Sequence, residues 1–204
     1  VELKAWDDKH KHAPAVDGVH ELFLHRWSPR AFAAKPVSRE DLRKLFEAAR
    51  WSASSYNEQP WRFVVGVKGD ATYQKIYDTL VEFNQQWAGH APVLILSAGR
   101  KQFSHNGTPN PYGLYDTGAA TALLMLQATH LGLHAHSMGG FDHEKARAAF
   151  GIPENFDIGA VTAVGYLGDP ETLPESMREQ EKMPRGRKPL EEIVFSDWEK
   201  PAAL

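Results

Sequence analysis

The stretch Gly113-Leu-Tyr-Asp-Thr-Gly-Ala-Ala-Thr-Ala-Leu-Leu-Met-Leu-Gln-Ala-Thr-His-Leu131 reads as a helix, and its composition decides the fold class. From Ala119 to Leu126 it is apolar or small nearly all round, which predicts burial on every side. Gly118, Ala119, Ala120 and Ala122 leave room for another backbone to come close. The flanking sequence supplies partners. Pro92 to Ala98 precedes the helix as an apolar run, and Leu133 to Met138 and Ile158 to Leu167 follow it. Together with the β-branched Trp61 to Val67 (WRFVVGV), these read as strands.

Three further helices fit between them. Ser38 is an N-cap, Glu40 and Asp41 occupy the first turn, and Leu42, Leu45, Phe46 and Ala49 recur at helical spacing. Thr72 to Trp87 has the pattern of one amphipathic helix, and His143 to Phe150 that of a short one. Gly99 to Tyr112, rich in Gly, Pro and Asn, reads as a loop. This alternation on its own predicts a parallel α/β sheet. Residues 1–20 form a polar arm, 21–168 the core, and 169–204 a linker and C-terminal extension. The charged Asp169 to Lys182 is read as the linker, and Glu191 to Phe195 (EEIVF) as a last, detached strand that pairs with a partner subunit.

Composition narrows the chemistry. At 204 residues the chain makes one domain with extensions or two small ones. Its 42% apolar and 24% charged residues are ordinary for a globular protein and exclude a disordered one. Having no cysteine, it can hold no disulfide, thiolate nucleophile or Cys-ligated metal. Its net charge of −3 lacks the basic excess of a nucleic-acid binder. The apolar run Pro92 to Leu96 is far shorter than the roughly 20 residues of a membrane span, and the first residues show no signal-peptide pattern. The expectation is a cytoplasmic protein touching neither membrane nor nucleic acid.

Several polar clusters stand out. In Arg26-Trp27-Ser28-Pro29-Arg30, an extended backbone puts Arg26, Ser28 and Arg30 on one face. Two guanidiniums and a hydroxyl suit a phosphate monoester; a solvated loop with surface arginines is the plainer reading. Arg185-Gly186-Arg187-Lys188 is an exposed tail or a second wall of the same anion site. Ser54 to Trp61 (SSYNEQPW) carries donors and acceptors that match a heteroaromatic ring edge, or is a helix-to-strand turn. Ser137-Met138-Gly139-Gly140-Phe141 permits close backbone approach to a flat ligand, or simply turns the chain. Neither a G-x-G-x-x-G fingerprint nor a phosphate-binding G-x-x-x-x-G-K-[ST] loop occurs. His134 and His136, with His130 or Asp142 as a third ligand, could present a metal site, but isolated His pairs are ordinarily surface or core residues, and no metal is expected.

Taken in order, RWSPR, SSYNEQPWRF, FNQQWAGHAPVLIL, DTGAATALLMLQATHLGL, SMGGF and PRGRKPLEEIV resemble the FMN-dependent nitroreductase family from about Arg26 to Phe195. The resemblance implies an α+β fold with a mixed, largely antiparallel central sheet flanked by helices, in place of the parallel sheet. It also implies an intertwined homodimer with FMN at the subunit interface. Arg26 and Ser28 then correspond to phosphate ligands, Arg30 to a basic residue near the flavin's pyrimidine edge, and Arg185 and Arg187 to a late basic pair at the phosphate. Ser54, Ser55 and Asn57 match a segment contributed by the other subunit, and Asn84 an amide near the ring. Met138, Gly139 and Gly140 match the segment whose backbone N–H, that of Gly139, lies near flavin N5. Phe103, Tyr112 and Tyr115 are candidates for the acceptor pocket.

The implied activity is two-electron transfer from NADH or NADPH through FMN to a small electron-poor acceptor, with no side-chain acid or base. The same fold also serves ene-type and dehalogenating reduction, and a non-catalytic flavin carrier or sensor is the competing class. This chain departs from common relatives at Ala53 and Ser137, where proline is frequent, and at Gly139, where some have an acid. Its 102–115 region is short.

Overall fold

A computed structural model describes residues 8–203 of the chain. Four strands form its central sheet: β1 (Trp61–Val67), β2 (Val93–Arg100), β3 (His134–Met138) and β4 (Phe156–Gly165). Their order is β1-β2-β4-β3, and each pairing is antiparallel. The parallel sheet suggested by simple alternation is not what forms. One reason lies between β1 and β2. Residues 72–87 do not make one helix but two, α3 (Ala71–Tyr77) and α4 (Glu82–Ala88). A single crossover helix returns the chain for a parallel strand; the second helix adds a reversal.

Side chains alternate across the sheet. Val64, Leu94, Leu96, Val161, Ala163 and Met138 face one side, where Tyr73 and Ile76 of α3, Trp87 of α4 and Ala146 of α6 (His143–Phe150) close the core. Phe63, Val65, Val93, Ile95, Val164 and Ala135 face the other. That side is covered by Leu42, Leu45 and Ala49 of α2 (Arg39–Arg50) and by Ala120, Leu124 and Ala128 of α5 (Gly113–His130). The register keeps each row intact, with Val64 opposite Leu96, Leu96 opposite Val161, and Val161 opposite Met138. Ser38 caps α2 as expected, its Oγ accepting from the Asp41 N–H at 3.0 Å, a contact worth about 1 kcal/mol.

Four expectations need correction. Helix α5 is buried along one side only; Gly118 and Ala122 are exposed and Tyr115 is 78% exposed, so burial on every side is not met within one chain. The stretch read as a linker holds α7 (Glu175–Lys182), which with the preceding turn puts Leu173 and Met177 into the core. Residues 1–7 of the arm lie outside the described residues, but 8–12 pack against the body and bury Lys11. Within this chain EEIVF is not one strand: its start is a turn of 3-10 helix, and only Phe195 belongs to a strand, β5 (Phe195–Asp197), which pairs with β6 (Lys200–Pro201) in an exposed hairpin. Among the described residues, no helix is long and apolar enough to cross a membrane.

Candidate functional site

The R-x-S-x-R segment leaves α1 (Glu21–His25) and runs along the β3 edge of the sheet, where the Pro29 carbonyl lies 2.9 Å from His136 Nδ1. There Arg26, Ser28 and Arg30 line one cavity of about 250 Å³ with Lys11, Trp27, Gln180, Glu181, Arg185 and Arg187. The two basic clusters of the sequence, far apart along the chain, therefore meet. Five cations face a single carboxylate, Glu181. Burial, then Arg187, holds Arg26 below its usual pKa. Burial, then Arg187 and Arg26, does the same to Arg185 against the pull of Asp8. Like charges gathered in this way are relieved by an anion.

The individual side chains divide the work. Arg26 Nη1 reaches Ser28 Oγ at 3.4 Å, so both address the same space. Arg30 donates from Nη1 to Gln180 Oε1 at 3.2 Å, while its buried Nε has no hydrogen-bond partner among the described residues. Arg187 is exposed. Arg185, expected as a direct phosphate ligand, has another task. Its Nη1 donates to the Arg26 carbonyl at 2.6 Å, and Nε and Nη2 donate to the carbonyls of Lys11 and Leu24. With three nitrogens so engaged, it shapes the wall and supplies charge. Arg26 with the Ser28 hydroxyl beside it, and the exposed Arg187, one of whose nitrogens donates to the Gly186 carbonyl at 2.7 Å, make a donor set that fits a phosphate monoester.

Beyond Met138 the chain turns through Gly139 and Gly140, and this turn explains the break between α3 and α4. The Gly140 carbonyl accepts from the Val81 N–H at 3.1 Å and from Asn84 Nδ2 at 2.9 Å, and the Thr79 carbonyl accepts from the Asp142 N–H at 2.8 Å. Asn84 is buried, and its Oδ1 accepts from Trp87 Nε1 at 3.3 Å. Its amide thus braces the turn. A Cβ on Gly140 would stand 2.6 Å from Asn84 Nδ2, whereas one on Gly139 would meet nothing within 4 Å. The Gly139 N–H has no acceptor among the described residues, so an open, flat face with a free donor is left at the end of β3. The Met138 side chain points into the core and offers a ligand only its backbone.

Ser54, Ser55 and Asn57 sit elsewhere. They precede β1, at the sheet edge opposite β3, about 14 Å away at three strand spacings, and none lines the basic cavity. Tyr56, Asn57 and Gln59 all have positive φ, near 52–54°. The strained turn is pinned: Ser54 Oγ accepts from the Gln59 N–H, buried Asp116 accepts from the Ser55 N–H, and Glu58 accepts from the Ser104 N–H and hydroxyl. Such strain collects at functional positions. Phe103 is buried with its ring 5.5 Å from that of Tyr56, while Tyr112 and Tyr115 are exposed where α5 begins. Of the histidines, His134 Nε2 lies 3.3 Å from Asp8 Oδ2 and His136 packs 4.5 Å from the Trp87 ring. No group of three or more metal-ligating side chains is found among the described residues.

Sequence reasoning missed Lys11, Glu181 and Asp116. Glu181 accepts from the Arg30 and Ala31 N–H groups at 2.7 and 2.9 Å. All three act across 60 or more residues, and the one local hint was the apolar pair Leu173 and Met177 at helical spacing in the supposed linker.

Residues 24–84 and 67–166 match the model of the nitroreductase family. The chain is 36% identical over 148 residues to an uncharacterized 15.4 kDa protein of Mycolicibacterium smegmatis, covering 69% of this chain and 99% of that protein. It is 28% identical over 205 residues to a Thermus thermophilus protein named NADH dehydrogenase, covering 84% and 92%. A solved structure described as an oxidoreductase containing FMN aligns with a TM-score of 0.85 at 38% identity, covering 90% of this chain and 94% of that one.

Proposed function

The chain belongs to the nitroreductase family, and from that premise we propose that it is an FMN-dependent oxidoreductase that takes electrons from NADH or NADPH and reduces nitroaromatic, quinone or related electron-poor acceptors by a ping-pong course. One observation carries this reading: the basic cavity and the open glycine turn lie together on the β3 side of the sheet. A phosphate-bearing planar cofactor needs both.

FMN held there would supply the hydride and electron-transfer chemistry. The protein supplies position and charge. Arg26, Ser28 and Arg187 hold the phosphate, and Arg185 and Glu181 fix the wall behind it. Arg30, with its guanidinium held beside Gln180 and 5.8 Å from the Phe83 ring, would supply positive charge near the pyrimidine side of the bound ring. The Gly139 N–H, which has no acceptor among the described residues, would be the donor offered to the cofactor ring, and no side-chain acid is assigned. Asn84 keeps the Gly140 carbonyl turned away so that this donor stays presented.

A second copy completes the site. Ser54, Ser55 and Asn57 cannot reach the cavity of their own chain from the far sheet edge, and the pinned turn is suited to presentation across an interface. The exposed side of α5, with Gly118 and Ala122, supports a homodimer contact. Tyr112 and Tyr115, exposed beside it, would line the acceptor's path; Phe103 supports the Tyr56 turn from below. The test is a visible spectrum of the purified protein, repeated after NADH or NADPH is added under argon. Flavin bands that bleach and recover with a nitroaromatic or quinone are expected. A colourless protein that FMN cannot reconstitute would overturn the reading, and flavin that no nicotinamide bleaches would reassign the protein as a carrier.

A further inference from the structure

The cavity walls extend beyond the residues that match the family, 24–166. Two outlying segments close it: residues 8–12, and the end of α7 with the turn to residue 187. They hold one another in both directions. Lys11 is 5% exposed, and its Nζ donates to the Gln180 carbonyl at 3.0 Å and to the Met183 carbonyl. Arg185 returns the contact by donating to the Lys11 carbonyl, while its other nitrogens hold Leu24 and Arg26. Carbonyls at the end of a helix carry partial negative charge, which favours an ammonium there. Glu181, 2% exposed, fastens the same α7 turn to the backbone of Arg30 and Ala31. The ammonium also stands 4.9 Å from the Trp27 ring centroid, in the middle of the R-x-S-x-R segment.

A buried ammonium among four guanidiniums is costly for a protein with no anion to bind. Burial opposes the Lys11 charge, Glu181 supports it, and Arg185 and Arg30 oppose it again. Its two carbonyl contacts hold Nζ in the wall, so its charge is presented to the cavity without any search among rotamers. We propose that Lys11 is a further cation of the phosphate site, and that the reciprocal Lys11–Arg185 clasp sets how firmly the phosphate end of the cofactor is held. This rests on the FMN reading above. The proposal also gives the N-terminal segment, which lies outside the family match, a role in cofactor retention.

FMN and riboflavin share the ring and ribityl chain and differ in the phosphate, so comparing them isolates this role. Dissociation constants for both are measured by flavin fluorescence on the full chain, stripped and refilled, for the wild type, Lys11→Gln and Lys11→Arg. Lys11→Gln is expected to weaken FMN about tenfold, with riboflavin unchanged within about twofold. Lys11→Arg restores most of the FMN affinity, and added salt narrows the gap. If Lys11→Gln does not fold, Lys11→Met keeps the stem over Trp27 and removes the charge. Equal losses for both flavins would reduce Lys11 to a structural strut, and no loss for FMN would refute the proposal. A wild type that binds neither flavin sinks the cofactor reading and this inference together. A wild type that prefers FMN, with charge-free variants that keep that preference, sinks the role of Lys11 alone.

Discussion

His136 gives the site a pH dependence that can be worked out. Its ring lies between the Trp87 ring and the Pro29 carbonyl, beneath the R-x-S-x-R segment. Burial pushes its pKa from 6.5 down to about 4; the Pro29 carbonyl opposes this, and Arg30 and Arg26 add to it. The unfolded chain therefore binds this proton at a higher pH than the folded one. Stability is complete above pH 6.5 and falls as the pH drops toward 4. The full gap is worth about 3 kcal/mol, of which about 2 kcal/mol is lost between pH 7.5 and 5. Asp8 acts in a different window. Its pKa is lowered from 3.8 to about 2 through contacts to His134, Trp27 and His12 that outweigh burial, so its contribution is lost only below pH 3.8. Urea unfolding of cofactor-free protein, with His136→Phe as the comparison, measures the difference. The variant keeps a ring against Trp87 and should lose about 2 kcal/mol less than wild type between pH 7.5 and 5. Equal losses would show that His136 is not held neutral, and the argument for its burial would fail.

Three further outcomes follow from the geometry. Arg26→Ala should weaken FMN by about 1.5–3 kcal/mol and leave riboflavin unchanged, because a hydrogen bond to a charged group is lost only with the phosphate; fluorescence titration reads both. Gly139→Ala should leave thermal stability within about 0.5 kcal/mol yet impair flavin binding, whereas Gly140→Ala should cost about 1–3 kcal/mol through its clash with Asn84. The reverse ranking in melting curves would contradict the turn described. Met177→Ala should destabilise by about 2–5 kcal/mol as a core truncation; an effect below 1 kcal/mol would return α7 to the status of a surface linker.

The legible parts of the fold were those set by local pattern. Ser38 reads as a cap because Asp41 follows it at the right distance, and β2 reads as buried because both of its faces are apolar. The basic clusters were legible as chemistry, since Arg26, Ser28 and Arg30 alternate along an extended chain. Position in the site was not. Lys11 and Glu181 work through partners about 150 to 170 residues away, and nothing in HKH or EQEK marks them as different from solvated charge. The family resemblance placed Arg185 at the phosphate, and it does line the cavity, but only the structure shows its donors spent on three carbonyls.

The break at residues 78–81 links the sheet direction that simple alternation misses to the turn after β3. By apolar period alone, Thr72 to Trp87 is continuous, and one helix there implies a parallel neighbour for β1. The chain breaks because Thr79 and Val81 have better backbone partners in Asp142 and Gly140 than a helix would give them. Those partners belong to the turn after β3, more than 50 residues on, so no window along the sequence contains both halves of the cause. The same bonds that reverse the chain orient the Gly140 carbonyl and free the Gly139 N–H. Sheet direction and cofactor-facing turn are thus set by one group of contacts, and a substitution that healed the break into a continuous helix would disturb both.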